Sequence, residues 1–255
     1  MERRPIPRTI RVVRFFVRPL LMVLMKRDWQ GMENLPVSGG YVLAPNHVSH
    51  LDPFLIGHFM LDNNIAPRFL AKDTLFTVPV VGWIVRHAEQ IPVYRTSGGA
   101  AESLRAAAAA IEADQVITVY PEGTITRDPD AWPMSARTGA VRLALMTDTP
   151  LVPMMQWGAQ EILWPYTKVP KFFPRKTIRI RIGPPVDLSD LRGREITEDL
   201  LREASERLMD TITAMMSELR GELPSTPRID VHSLGRSRTN YQSTLRGDDT
   251  KELEG

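Results

Sequence analysis

The sequence predicts an α/β fold with a largely parallel central sheet flanked by helices, preceded by an N-terminal amphipathic interfacial helix. Three observations lead to this prediction. Apolar runs of strand length alternate with helix-length periodic segments from residue 41 to residue 182. A segment near the C-terminus carries apolar residues at helical spacing, and residues 1–27 place arginines and apolar side chains on opposite faces of a helix.

The strands are predicted from short apolar runs bounded by polar or turn-forming residues. They lie near residues 41–45, 67–71, 90–94, 116–120, 151–155 and 177–182. Helices are predicted between them, at residues 53–61, 79–88, 100–113 and 136–146. The third helix is rich in alanine, the residue with the highest helix propensity. Such alternation favours parallel strands, because a helix carries the chain back from the end of one strand to the start of the next.

Three regions follow from these elements. Residues 1–30 are predicted to form a basic amphipathic helix at a membrane surface, and residues 31–220 the folded domain. Within the domain, the segment 197–219 should dock on the core through Leu200, Leu201, Ala204, Leu208, Ile212, Met215 and Leu219. From about Gly221 onward, polar and small residues dominate, which predicts a disordered tail over residues 221–255.

The composition is that of an ordinary folded chain of 255 residues, with 43% hydrophobic and 24% charged residues. The 32 lysines and arginines barely exceed the 30 aspartates and glutamates, so the chain carries no global cationic field. It has no cysteine, which excludes disulfides and a cysteine nucleophile. No apolar stretch reaches the ~18 residues of a membrane span, and no signal peptide is expected at the N-terminus.

Positive charge is concentrated in residues 1–27, where the single acid is Glu2. Four arginines fall within an arc of roughly 120° on a helical wheel: Arg8, Arg11, Arg14 and Arg18. Aliphatic and aromatic residues occupy the opposite face, and Pro19 is expected to kink or restart the helix. These faces are typical of a helix lying in a bilayer interface. The alternative is a helix that packs on the protein's own core and leaves its arginines in solvent.

A second stretch with membrane character is YTKVPKFFPRK, residues 166–176. It interleaves basic residues with Tyr166, Phe172 and Phe173, and its prolines make it irregular. It is interpreted either as a loop that inserts aromatic side chains at headgroup depth or as a solvated surface loop.

The first chemical candidate is a histidine that follows a predicted strand, in YVLAPNHVSHLDP. His47 and Asp52 are five positions apart, and an i, i+5 pair does not share one face of a regular helix. If the two side chains meet, they meet across a turn. A plain structural reading also exists, in which Asp52 is the N-cap of helix 53–61 and Pro53 follows it at the first helical position. The two readings are compatible, because a carboxylate has two oxygens. Ser49, inside the same stretch, is interpreted as a turn residue.

The second candidate is VITVYPEGTITR, residues 116–127, where a strand runs into a turn and a long loop. Open α/β sheets bind their ligands at such strand ends. Gly123 permits close backbone approach, Thr124 offers a hydroxyl, and Arg127 could meet an anion. Alone, this stretch would also fit an ordinary turn.

Together, the two stretches resemble the glycerolipid acyltransferase superfamily, most closely the bacterial 1-acyl-glycerol-3-phosphate acyltransferases. The family's first block is Asn-His, four residues and Asp, matched by Asn46, His47 and Asp52. Its third block, Phe-Pro-Glu-Gly-Thr-Arg-Ser, is matched by residues 120–124. Here Ile125 stands where the family usually has arginine, and Thr126 where it has serine.

The other two family blocks are weaker matches. The second, Gly-x-Ile followed by an arginine, is matched at Ile91 and Arg95, with Glu89 in place of the glycine. The fourth, a short Val-Pro strand, is matched at residues 152–153. The four blocks occur in the family's order, and the resemblance covers roughly residues 30–190.

The resemblance implies transfer of a fatty acyl group from an acyl-CoA or acyl-carrier-protein thioester to the free hydroxyl of 1-acyl-sn-glycerol-3-phosphate, which forms phosphatidic acid. His47 would be the general base and Asp52 would orient its ring and stabilise the imidazolium. The acceptor site would be formed by Arg95, Glu122, Gly123, Thr124, Arg127 and Lys72. No metal and no cofactor other than the thioester co-substrate is expected. The protein is expected on the cytoplasmic face of the cell membrane, as a peripheral or monotopic enzyme.

Several alternatives stay open at this point. One is an acyltransferase with another acceptor, such as a different lysolipid, a glycolipid or an amine, because the departures at Glu89 and Ile125 fall in blocks expected to contact the acceptor. A thioesterase would use His47 to activate water. A non-catalytic membrane-binding module would leave the His47–Asp52 pair unexplained. Nucleic-acid binding could use the basic N-terminus, but no recognised nucleic-acid-reading motif accompanies it.

Overall fold

A computed structural model describes residues 6–94, 97–167 and 169–233. Its helices are α1 (Arg8–Leu24), α2 (Asp52–Asp62), α3 (Val81–His87), α4 (Ser97–Glu112), α5 (Gly139–Met146), α6 (Ala159–Ile162) and α7 (Glu198–Arg220). Its strands are β1 (Met25–Gln30), β2 (Tyr41–Pro45), β3 (Leu70–Lys72), β4 (Ile91–Val93), β5 (Val116–Thr118), β6 (Leu151–Trp157) and β7 (Lys176–Ile182).

The central sheet has the strand order β1-β7-β6-β2-β5. All neighbouring pairs are parallel except β6 and β7, which run antiparallel. A second, parallel sheet pairs β3 with β4, and a parallel bridge between Phe69 and Thr118 places it beside β5. The predicted α/β fold with a largely parallel sheet is confirmed.

Helices cover both faces of this sheet. Every residue of β2 is buried, because its alternate side chains enter two different cores. Val42 and Ala44 pack with α4, α5 and α7, whereas Tyr41 and Leu43 pack with α2 and α6. Since β2, β5 and β6 are parallel, their carboxyl ends share one edge of the sheet. The loops that follow β2 and β5 therefore meet at that edge.

The N-terminal region differs from the prediction of one helix over residues 1–30. The helix α1 ends at Leu24, and residues 25–30 form β1, which pairs in parallel with β7 at the edge of the sheet. Pro19 lies inside α1 without ending it. Local sequence patterns do not predict this strand, because its pairing partner is β7, near the other end of the domain.

The structure shows how α1 is oriented on the domain. Arg14 and Arg18 turn toward the protein and bind the carboxylate of Asp62 at the end of α2, at 3.1 and 2.9 Å. Arg27 binds the same carboxylate at 2.8 Å. Part of the apolar surface of α1 points away from the protein, where Val12, Phe15, Phe16, Leu20 and Val23 are exposed. Ile10 and Leu21, which the prediction places on the same apolar face, pack on the domain instead.

Residues 221–233, which the prediction places in a disordered tail, lie against the domain. Gly221 ends α7 with a positive φ of 69°, but the following residues up to 233 still contact the domain. Arg228 binds Glu206 and Asp210 on α7 at 2.7 and 2.6 Å, and Val231 is buried. Residues 234–255, where the rest of the predicted tail falls, lie outside the described residues.

Candidate active site

The site begins at the carboxyl end of β2, where the chain turns back on itself. The Nδ1 atom of His47 lies 2.7 Å from Oδ2 of Asp52. Because a carboxylate can only accept, Nδ1 carries the proton and Nε2 is the basic nitrogen. Nε2 makes no hydrogen bond to the described residues, and the side chain of His47 is 15% exposed. The imidazole therefore offers its basic nitrogen to a molecule that enters from solvent.

Asp52 is held by the turn rather than by the helix that it begins. Its side chain is fully buried, and Oδ2 also accepts from the backbone N–H groups of Val48 and Ser49, at 2.7 and 2.9 Å. The predicted N-cap role is therefore wrong: Leu51 is the N-cap residue of α2, and no side-chain cap is found there. Oδ2 instead binds the amides that precede the helix, which curls the turn back onto His47. Ser49 acts as a turn residue, with its hydroxyl bonded to the carbonyl oxygen of Leu163 at 2.7 Å.

Asn46 fixes the histidine loop to the neighbouring strand. Its side chain is buried, its Nδ2 donates to the carbonyl oxygen of Gln156 at 3.1 Å, and its Oδ1 accepts from the Gln156 N–H at 2.7 Å. This two-bond contact continues the β2–β6 pairing by side chain, at the point where the strand itself ends. Asn46 is thus a positioning residue for the loop that carries His47.

Glu122 connects the two sequence blocks. Its Oε1 accepts from the backbone N–H of His47 at 2.9 Å, and its Oε2 accepts from the N–H of Met134 at 3.1 Å. The side chain is fully buried, and this burial raises the pKa of Glu122 to about 8, against the lowering effect of the two amide donors. The predicted contact with an acceptor hydroxyl thus differs from what the structure presents, which is a buried brace under His47.

The turn after Glu122 carries the remaining residues of this block. Gly123 has a φ of +66°, and Gly123 and Thr124 are partly exposed beside the buried brace. Ile125 is buried in the position where the family usually has arginine. The N–H of Thr126 donates to the carbonyl oxygen of His47 at 2.7 Å, and Arg127 is half-buried. The turn therefore holds the histidine loop from a second side.

Lys72 and Arg95, the other two predicted acceptor residues, differ in what the structure describes. Lys72 ends β3 and is exposed at the same sheet edge as His47, because β3 runs parallel to β5 through the Phe69–Thr118 bridge. Arg95 lies outside the described residues. Glu89, which stands where the family has glycine, adopts a positive φ of 54° and pairs with Arg68. A positive φ favours glycine, and this explains the family preference at that position.

Two further side chains at the site received no role from the sequence. The ring of Tyr120 stacks on the imidazole of His47, with centroids 4.1 Å apart and planes at 23°. Its hydroxyl is buried without a partner among the described residues, and burial raises its pKa well above the usual value. Arg137 lays its side chain across Gly123, so closely that a Cβ on residue 123 would lie 2.8 Å from Arg137 Cδ. The position of Tyr120 directly before Pro-Glu-Gly could have indicated its place at the site. No sequence pattern indicates the contact of Arg137 with Gly123.

A protein-family model and several known proteins match this chain. A protein-family model described as Acyltransferase matches residues 11–157, more than half of the chain. A chloroplastic 1-acyl-sn-glycerol-3-phosphate acyltransferase of Brassica napus is 29% identical over 140 residues, which cover 54% of this chain and 39% of that protein. The chain thus spans well under half the length of that relative.

Two further proteins that resemble this chain come from bacteria. A 1-acyl-sn-glycerol-3-phosphate acyltransferase of Bacillus subtilis (strain 168) is 26% identical over 158 residues, covering 62% of this chain and 72% of that protein. The crystal structure of the 1-acyl-sn-glycerophosphate (LPA) acyltransferase PlsC from Thermotoga maritima matches with a TM-score of 0.63. It is 22% identical and covers 85% of this chain and 81% of that chain, and this likeness establishes the shared fold.

Proposed function

Because the chain belongs to the acyltransferase family, we propose that it acylates the free hydroxyl of 1-acyl-sn-glycerol-3-phosphate and forms phosphatidic acid. The acyl donor is a thioester of coenzyme A or acyl-carrier protein. The observation that carries the proposal is the 2.7 Å contact between His47 Nδ1 and buried Asp52, with Nε2 turned to the open side. This contact is the base-and-orienter pair that proton removal from an alcohol needs.

The proposed reaction proceeds in two steps. The acceptor hydroxyl gives its proton to His47 Nε2 as its oxygen bonds to the thioester carbonyl carbon, and the carbonyl electrons move to oxygen. Collapse of this tetrahedral oxyanion reforms the carbonyl and breaks the carbon–sulfur bond. The departing thiolate takes the proton back from Nε2. Asp52 keeps the ring in the required tautomer and stabilises the transient imidazolium, and the acceptor hydroxyl makes an acyl-enzyme unnecessary.

For the acceptor, we propose a site at the turn formed by Gly123 and Thr124, with Lys72 on the adjacent strand end. Lys72 is an exposed cation at the same sheet edge, and cations suit a phosphate. Arg95 and Arg127 remain predicted contributors. Glu122 contributes by holding the His47 backbone rather than by contact with the acceptor.

Ile125 is buried and supplies no cation where the family usually has arginine. The choice of acceptor should therefore be tested directly. We expect the purified chain, given one acyl-CoA, to acylate lysophosphatidate faster than lysophosphatidylcholine, a glycolipid or an amine. A parallel assay with acyl-carrier protein identifies the donor. Preference for a neutral acceptor would overturn the assigned substrate. Rapid release of free fatty acid without any acceptor would indicate a thioesterase.

We also propose that α1 holds the enzyme on an anionic membrane surface, at the cytoplasmic face of the cell membrane. No helix within residues 6–94, 97–167 and 169–233 is long and apolar enough to cross a bilayer. The support is the outward apolar face of α1, where Phe15 and Phe16 are 74% and 70% exposed. Arg14 and Arg18 dock this face outward through Asp62, while Arg8 and Arg11 remain available to lipid phosphates.

The predicted loop 166–176 contributes less basic surface to this anchor than expected. Phe173 is exposed, but Arg175 donates to the carbonyl oxygens of Met22 and Met25, at 2.8 and 2.9 Å, and so closes the end of α1. Lys168 lies outside the described residues. The loop therefore supports α1 directly, and its exposed aromatic extends the apolar surface.

Replacing Phe15 and Phe16 together by serine should weaken sedimentation with anionic vesicles roughly tenfold or more, because two large apolar side chains no longer leave water. The matched control is Leu223→Ser, which removes an exposed apolar side chain from the segment after α7. Equal vesicle binding by the double variant and the control would contradict the anchor.

A further inference from the structure

Residues 74–85 form a second apolar surface that neither the catalytic pair nor α1 explains. The segment reads TLFTVPVVGWIV, contains no charged residue, and leads from β3 into α3. Gly82 is its single buried residue. Its exposed large side chains are Leu75, Val78, Val80, Val81 and Trp83. Contiguous apolar surface of this kind marks a site of interaction.

The segment is built as a fixed turn. Gly82 packs so closely on the backbone of Phe76 that a Cβ at position 82 would overlap the Phe76 carbonyl oxygen. Arg86 Nη1 donates to that same oxygen, and the hydroxyl of Thr77 donates to the Thr74 carbonyl at 2.9 Å. The apolar side chains are therefore displayed by a defined structure.

Backbone strain lies at the tip of this turn. Val80 has a φ of 64° and a ψ of −57°, and the Val81 N–H donates to the Pro79 carbonyl oxygen at 2.7 Å. A three-residue turn with positive φ is strained, and a β-branched residue is poorly suited to it. The strained residue is also 72% exposed. Strained residues of this kind cluster at functional sites.

The end of the segment lies beside α1. It leaves β3 at the sheet edge that carries His47 and Glu122. At its far end, Ala88 packs with Ile10 of α1 and Leu61 of α2 in one small buried cluster. The exposed faces of α1 and of residues 74–85 thus belong to neighbouring elements. Lys72 and Asp73 precede the segment, and Arg86 follows it.

We propose that residues 74–85 are a second bilayer-contact element, which places Val80 and Trp83 below the headgroups while Arg86 meets lipid phosphates. Tryptophan with its polar edge suits the membrane–water interface, and the uncharged run suits the apolar layer beneath. The proposal rests on the proposed action at a membrane surface. It concerns residues that hold no catalytic group, so binding can be measured without turnover.

The first test compares two identical substitutions on the whole chain. Val80→Asp should lower partition into vesicles of phosphatidylglycerol and phosphatidylcholine at least about tenfold, because an ionised side chain resists entry into the apolar layer. Val37→Asp is the matched control: Val37 is 92% exposed and precedes β2, at the opposite sheet edge. Val80→Gly, which accommodates the positive φ, should keep the fold and still weaken binding. Equal partition of the Val80 and Val37 variants overturns the proposal.

The second test uses Trp83 as the reporter of depth. Lipids brominated on their acyl chains should quench the wild-type fluorescence, and Trp83→Phe should remove much of this quenching. Unchanged quenching in that variant overturns the proposal, as does a self-associated wild-type chain that Val80→Asp makes monomeric. Turnover of a short-chain, monomeric lysophosphatidate should be the same in wild type and Val80→Asp. Absence of turnover in both would contradict the proposed function while leaving the vesicle result valid.

Discussion

Replacing His47 by alanine should reduce the rate of acyl transfer by about a hundred- to ten-thousandfold, the contribution that a positioned general base makes. The loss should appear in kcat for both donor types, because the proton is removed in the step that both share. Asp52 keeps its bonds from the Val48 and Ser49 amides in this variant, so the turn should persist. Steady-state rates and a melting curve on the purified variant measure both expectations.

His50 provides the matched control for this experiment. It lies three positions further along the same loop, is exposed, and has its ring 6.5 Å from that of Tyr166. His50→Ala should retain most of the activity. A near-normal rate in His47→Ala, or equal losses in the two variants, would remove His47 from the mechanism.

Replacing Asp52 by asparagine should have the second-largest effect, a fall in kcat of about a hundred- to ten-thousandfold. The asparagine oxygen can accept the same three N–H groups that Oδ2 now accepts, from His47, Val48 and Ser49. The negative charge that stabilises the imidazolium is lost, however. The amide nitrogen would occupy the place of Oδ1, which is buried and has no partner among the described residues. That buried donor should cost about 1–3 kcal/mol of stability.

The kinetic constants of Asp52→Asn distinguish the loss of the negative charge from a change in the structure of the site. Substrate KM values should stay close to those of the wild type, because Asp52 is buried behind the histidine and does not face the acceptor. Asp62→Asn is a control of equal charge change at the other end of α2, and it should spare kcat on a monomeric short-chain acceptor. An unchanged kcat in Asp52→Asn would show that the carboxylate plays no part in proton transfer.

The sequence predicts those features of the fold and the site that depend on residues close together in the chain. The i, i+5 spacing of His47 and Asp52 predicts that the two side chains can meet only across a turn. They do meet across a turn, and the prediction succeeds because both residues belong to one short segment. Apolar runs predict β2, β5 and β6 since these strands are buried on both faces. The strand β1 has no such run, because it is an edge strand and half of its surface is solvated.

The remaining features depend on contacts between distant segments. The direction of the α1 faces is decided by Asp62, which is not part of the helix. Glu122 has the residue type of a substrate contact, but its oxygens are occupied by amides of residues 47 and 134. The N-cap prediction for Asp52 failed because α2 already begins at Asp52, with Leu51 as its N-cap residue, and the carboxylate binds the amides of Val48 and Ser49 in the preceding turn. To predict each of these contacts, one must know where the partner residue lies in three dimensions, and the spacing of residues along the chain does not give this position.

His47 reaches its place only when later parts of the chain have been synthesised. Its carbonyl and amide are bound by Thr126 and Glu122, and the preceding Asn46 is bound to Gln156. A nascent chain on the ribosome that ends before residue 156 therefore lacks the partner that fixes Asn46. Such an unfinished polypeptide already contains the exposed apolar side chains of α1, yet it lacks the contacts that hold His47 in place.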